Sequence, residues 1–98
     1  MAKLDRAQIT SKLAALPGWK HHQDAISKQF EFKGFMDGIR FVEKIAQVAE
    51  AGDHHPDMLI NYRRVTFTCS THDEGGLTEK DFRLAGEIEA AYKSAHGK

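Results

Sequence analysis

Glu50-Ala51-Gly52-Asp53-His54-His55-Pro56-Asp57-Met58-Leu59-Ile60-Asn61-Tyr62-Arg63-Arg64-Val65-Thr66-Phe67-Thr68-Cys69-Ser70-Thr71-His72 changes its hydrophobic period in the middle, and the architecture of the chain follows from that change. Pro56 lacks an amide donor and biases His55 toward extended backbone, so a helix arriving at Glu50 cannot continue. Beyond the proline, Met58, Ile60 and Tyr62 alternate with Leu59, Asn61 and Arg63. Val65, Phe67 and Cys69 then alternate with Thr66, Thr68 and Ser70. Period two is the mark of a half-buried strand, and two strands follow the proline.

Upstream, Gly34 starts a helix in which Phe35, Ile39, Val42, Ala46 and Ala49 recur at helical spacing and form the expected core stripe. Phe41, Ile45 and Val48 widen the apolar arc to about half the circumference, beyond the roughly 100° that one buried face needs. This surplus is expected to be a subunit interface, with Gly38 costing about 1 kcal/mol of helix propensity. Earlier still, residues 19 to 33 read as a hairpin. Ile26, Phe30 and Phe32 form its apolar side, Lys28 breaks that side, and His21-His22-Gln23-Asp24 is a polar turn. A first helix carries an Asp5 cap, Gln8 in capping-box position and Leu4 with Ile9 at staple spacing. Its inner face is Ile9, Leu13 and Leu16, and Pro17-Gly18 closes it. Downstream, Thr71 to Leu77 is a loop, and Thr78 caps a last helix with Leu84, Ala85, Ile88, Ala91 and Tyr92 inward. The order helix, strand, strand, helix, strand, strand, helix implies an α+β fold: an antiparallel sheet with helices packed on it, in a single domain over residues 1–98.

Composition excludes several classes of function. Lys plus Arg (14) equals Asp plus Glu (14) in 98 residues, so no basic excess steers nucleic acid. No apolar run approaches the roughly 18 residues of a membrane span, and Met1-Ala2-Lys3-Leu4-Asp5 lacks the apolar segment of a secretory signal. A soluble, cytoplasmic protein is expected. The single cysteine, Cys69, alternates with Val65 and Phe67 and reads as a small buried hydrophobe, not a nucleophile.

The six histidines hold the chemistry. His54 and His55 lie at a helix-to-strand corner, and His72 ends a strand. Loops at element ends are where a scaffold presents reactive groups. Imidazole donates or accepts protons near neutrality, so three rings around one pocket suit general acid and base catalysis on an uncharged organic substrate. Glu50, one turn before His54, and Asp81, on the inner side of the last helix, could orient the rings. Asp81 could equally reach back to the amide of Thr78. Ser70 and Thr71 could hydrogen-bond a ligand's polar edge. A zinc site is disfavoured, because adjacent histidines in extended chain point to opposite sides and no His-x-x-x-His occurs. His21-His22 is read as solvated and His96 as tail.

Glu50, His54-His55-Pro56, Tyr62, His72 and Asp81, at their spacings, resemble the signature of the pterin-4a-carbinolamine dehydratases. Leu16-Pro17-Gly18-Trp19, Phe30-Glu31-Phe32, Ser70-Thr71-His72 and Gly76-Leu77-Thr78 extend the likeness over nearly the whole chain. The resemblance implies a four-stranded antiparallel sheet with helices packed on one face, assembled as a homodimer or homotetramer through the helix at 35–50 and sheet edges. It implies removal of water from 4a-hydroxytetrahydropterin to give quinonoid dihydropterin, in tetrahydrobiopterin recycling, with no metal and no bound cofactor. The family's three active-site histidines fall on His54, His55 and His72, and its supporting acids on Glu50 and Asp81. His55 and His72 are expected to exchange protons with substrate, while His54, steadied by Glu50, shapes the pocket. Many members carry an aromatic residue where this chain has Met58, which would meet the pterin through its polarizable sulfur. Animal relatives also act as dimerisation cofactors of a homeodomain transcription factor. The corresponding helix face here is Phe41, Ile45 and Val48.

Overall fold

Each change of period seen in the sequence becomes a boundary between elements in the computed structural model, which describes residues 3–96. Four strands, β1 (Lys20–His22), β2 (Ala25–Glu31), β3 (Asp57–Asn61) and β4 (Arg64–Cys69), form one antiparallel sheet in the order β1-β2-β4-β3. Ile26 pairs with Cys69, Phe30 with Val65, and Met58 with Phe67. Directly opposed residues share a sheet face, so Ile26, Phe30, Met58, Val65, Phe67 and Cys69 gather on one side. Helices α1 (Arg6–Leu13), α2 (Phe35–Gly52) and α3 (Glu79–His96) contribute to the core on that side. Ser27, Gln29, Thr66, Thr68 and Leu59 alternate with the core residues and form the uncovered face.

The capping box at α1 forms in both directions: Asp5 Oδ1 accepts from the Gln8 amide at 2.8 Å, and Gln8 Oε1 accepts from the Asp5 amide at 2.9 Å. The helix ends at Leu13, earlier than Pro17-Gly18, and the chain then turns to Gly18 at φ +89°. His21 and His22 are not in the hairpin turn. They belong to β1, and Gln23-Asp24 alone makes the turn, with Gln23 at φ +48°. Both are exposed; His21 Nε2 lies 2.8 Å from the Gln23 carbonyl. Tyr62 likewise leaves the strand pattern, sitting in the β3–β4 turn at φ +54°. The side chain of His96 lies outside the described residues.

The buried face of α2 is turned from the expected stripe, of which Ala49 is buried and Val42 packs partly against the core. Its buried residues are Gly38, Phe41, Ile45 and Ala49, while Phe35 is 45% exposed and Met36 51%. Phe41 and Ile45, expected at a subunit interface, lie in the chain's own core, and Val48 packs partly against it. Gly38 explains the phase. A Cβ there would lie 3.3 Å from Phe32 Cδ2 and 3.5 Å from Val65 Cγ2, so the helix approaches the sheet on its glycine side. Lys28 also lies on the inner side of β2, where its ammonium meets Glu89 of α3 at 2.5 Å and the Pro17 carbonyl at 3.2 Å. The same Glu89 oxygen accepts from the indole of Trp19 at 2.8 Å. A charge facing the core is thereby paired.

Candidate active site

Asp57 stands opposite Thr68, and Ile26 opposite Cys69. The His54-His55-Pro56 segment therefore enters β3 at the same end of the sheet from which Ser70-Thr71-His72 leaves β4. Gly52 ends α2, and Asp53 follows in the left-handed region at φ 52°. Its amide donates to Glu50 O at 3.2 Å, and that of His54 to Ala49 O at 3.1 Å, a Schellman-type reversal that breaks the helical spacing.

That reversal decides which acid meets which ring. His54, with a side chain 15% exposed, places Nε2 2.6 Å from Oδ1 of Asp81, which is fully buried. Glu50 pairs instead with His55, Oε1 to Nε2 at 2.8 Å, where both groups are open to water. The expected Glu50–His54 pairing does not form, because α2 ends at Gly52 and the left-handed Asp53 intervenes before His54. Asp81 performs both roles open to it: beside its contact with His54, its Oδ2 accepts from the Thr78 amide at 3.0 Å.

Thr71 is not free for a ligand. It is buried, its hydroxyl donates to Asp81 Oδ2 at 2.8 Å, and it lies 2.9 Å from the hydroxyl of Thr78. Thr78 was expected only as a cap. Its membership of this network was foreshadowed by the Thr-x-x-Asp spacing that put Asp81 at the third helical position. His72 is exposed in a single 3-10 turn, His72–Glu74, with Nε2 3.4 Å from Ser70 Oγ. Ser70 is half-buried. Met58 is half-buried on the helix-covered face and packs against the core. Leu4 N donates to Leu77 O at 2.8 Å, tying the start of the described chain to the loop that carries His72.

A cavity of about 390 Å³ opens between the end of α2 and the start of α3, walled by His54, Leu84, Lys80 and Arg83 among others. His55 and His72 are not among its lining residues. A larger one, of about 520 Å³, has Phe32 and Phe41 in its wall beside Lys33, Arg40 and Lys44, away from these histidines. Cys69 is buried, and desolvation, then the neighbouring charges of Asp81 and Asp57, push its thiol up to about 12, so it is inert at neutral pH. Among the described residues no three His, Cys, Asp or Glu stand together in a way that could hold a metal ion. No described helix is long and apolar enough to cross a membrane.

The family model for pterin 4 alpha carbinolamine dehydratase matches residues 2–91. The chain belongs to that family. It is 49% identical over 91% of its length to a protein of Mycobacteroides abscessus, and 45% over 88% to one of Sulfolobus acidocaldarius, covering 95% and 94% of those proteins. Both are named "Putative pterin-4-alpha-carbinolamine dehydratase". A solved structure from Brucella melitensis, titled transcriptional coactivator/pterin dehydratase, superposes with a TM-score of 0.87 at 36% identity, over 91% of this chain and 97% of that one. A pterin dehydratase-like RuBisCO assembly factor of the alpha-carboxysome shares the fold alone, with a TM-score of 0.63 at 19% identity over 74% of this chain and 84% of that one.

Proposed function

We propose that this chain is a 4a-hydroxytetrahydropterin dehydratase that works by histidine acid and base catalysis in tetrahydrobiopterin recycling. The observation that carries the reading is the gathering of His54, His55 and His72 at one end of the sheet, two of them already bonded to carboxylates. In the reaction the C4a–O bond breaks and a ring nitrogen loses its proton. One group must protonate the departing hydroxyl, which leaves as water, and another must take up the nitrogen's proton. His55 and His72 are the exposed rings and exchange these protons; His54, held by Asp81, shapes the site. Ser70 lies beside His72 and meets the ligand's polar edge, a role Thr71 cannot share. The test is turnover of freshly generated carbinolamine, followed by loss of its ultraviolet absorption. Decay faster than the spontaneous rate is expected, and an unchanged rate refutes the assignment.

Assembly as a homodimer or homotetramer belongs to the same proposal, on a different surface from the one expected. Phe35 and Met36 of α2 are exposed, as are Leu59 and Ile60 on the edge strand β3, and Phe35 stacks on Tyr62 at 6.4 Å between ring centres. An apolar patch beside an unpaired strand edge favours self-association. A helical transcription-factor segment is the second reading for this patch, and the coactivator title of the Brucella melitensis structure favours it. Sedimentation at micromolar concentration should find dimers or tetramers; monomer alone defeats self-assembly.

A further inference from the structure

We propose that Thr71 and Thr78 are positioning residues for His54, acting through Asp81, and that they hold His54 as the tautomer protonated on Nε2. Three side chains of this network, Thr71, Thr78 and Asp81, are 8%, 0% and 0% exposed, so their hydrogen bonds must be satisfied within the protein. The directions of those bonds then admit one solution. A carboxylate only accepts, so the hydroxyl proton of Thr71 goes to Asp81 Oδ2 at 2.8 Å. Thr71 has no second proton, so the 2.9 Å bond between the threonines is donated by Thr78. Thr78 Oγ1 in turn accepts from the amide of Lys80 at 3.3 Å, and an amide can only donate. The chain of donors runs one way, from the first turn of α3 to Asp81.

Asp81 Oδ2 is thereby occupied by two donors, the Thr71 hydroxyl and the Thr78 amide, and Oδ1 is left facing His54 Nε2 at 2.6 Å. Imidazole is a stronger base than a carboxylate, so the proton between them resides on Nε2. Nδ1 becomes the basic nitrogen of neutral His54. The same bonds tie the corner at 54–56 to the loop at 71–78, because Thr71 precedes His72 directly. Hydrogen bonds to a buried carboxylate orient the ring it holds, as outer partners do for metal-bound histidines.

The test uses nitrogen-15 ring spectra of His54 in the full chain at neutral pH, with turnover measured in parallel. The unsubstituted protein should show the proton on Nε2. Thr71→Val removes one of the two donors that fix Oδ2, so the carboxylate is no longer held with Oδ1 facing Nε2; the ring signals should shift toward a tautomer mixture and turnover should fall about ten- to hundredfold. Thr71→Ser keeps the hydroxyl and should restore both. A proton found on Nδ1 overturns the proposal, as does a folded Thr71→Val with His54 signals and turnover both unmoved. The unsubstituted and Thr71→Ser spectra keep the test decisive should the valine variant not fold. The link to turnover rests on the dehydratase reading; a protein without turnover defeats that reading, while the spectra still decide the tautomer.

Discussion

His54 and His55 are adjacent in sequence, and each has Nε2 within 2.8 Å of a carboxylate, yet their pairs differ in what surrounds them. The His54–Asp81 side chains are 15% and 0% exposed, the His55–Glu50 side chains 56% and 81%. Water screens the outer pair and leaves it little strength. In the inner pair each partner is obligatory to the other, since a buried charge or donor left alone is costly. One ring is thus part of the framework, and its neighbour stays exposed, where a substrate can reach it.

The sharpest way to break this contrast is Asp81→Ala. It strands His54 Nε2, Thr71 and the Thr78 amide, and should lower stability by about 3 kcal/mol or more, read from denaturant unfolding. A loss below about 1 kcal/mol would mean that the inner pair is no stronger than the outer. Next, His55→Ala or His72→Ala should leave stability within about 0.5 kcal/mol and reduce turnover about 10²- to 10⁴-fold, the usual worth of one acid or base. Equal stability losses at His54 and His55 would erase the distinction. A third prediction concerns Cys69, which borders Asp81. Its thiol is raised from 9.0 to about 12 in the folded state, so the neutral form is favoured there. The resulting stability is complete below pH 9 and is lost as pH rises toward 12. Unfolding midpoints from pH 8 to 11 should fall more steeply for the unsubstituted chain than for Cys69→Ala; parallel slopes would contradict this. The smallest effect belongs to Glu50→Gln, which should change stability by less than about 0.5 kcal/mol and turnover by a few-fold, checked by the same two assays.

Strand alternation in 58–60 and 65–69, the Asp5 capping box and the inner stripe of α3 were all legible, because each depends on neighbours a few residues apart. What the sequence concealed was decided by contacts between distant segments. Two apolar stripes of α2 are nearly equal, and only the approach of Gly38 to Phe32 and Val65 selects Phe41 and Ile45 over Phe35 and Ile39. Read as a point of close packing instead of a propensity cost, Gly38 points to the right face. The carboxylate partners were exchanged for a local reason: Glu50 and His54 have helical spacing, but the left-handed Asp53 intervenes. Lys28 looked like a flaw in β2 because its partner Glu89 lies 61 residues away. Of the family signature, Glu50, His54-His55-Pro56, His72 and Asp81 lie at one end of the sheet and Tyr62 at the other, and their spacing could not show that Thr71 faces Asp81.

Trp19, the only tryptophan, is 6% exposed, its indole nitrogen is bonded to Glu89, and its ring lies 6.2 Å from that of Phe30. Phe30 pairs with Val65, at the far end of β4 from His72. The molecule therefore contains its own optical gauge: indole emission will shift to the red when the interior opens, whatever has been done to the imidazoles. Each substitution can be checked for an intact interior without attaching a dye.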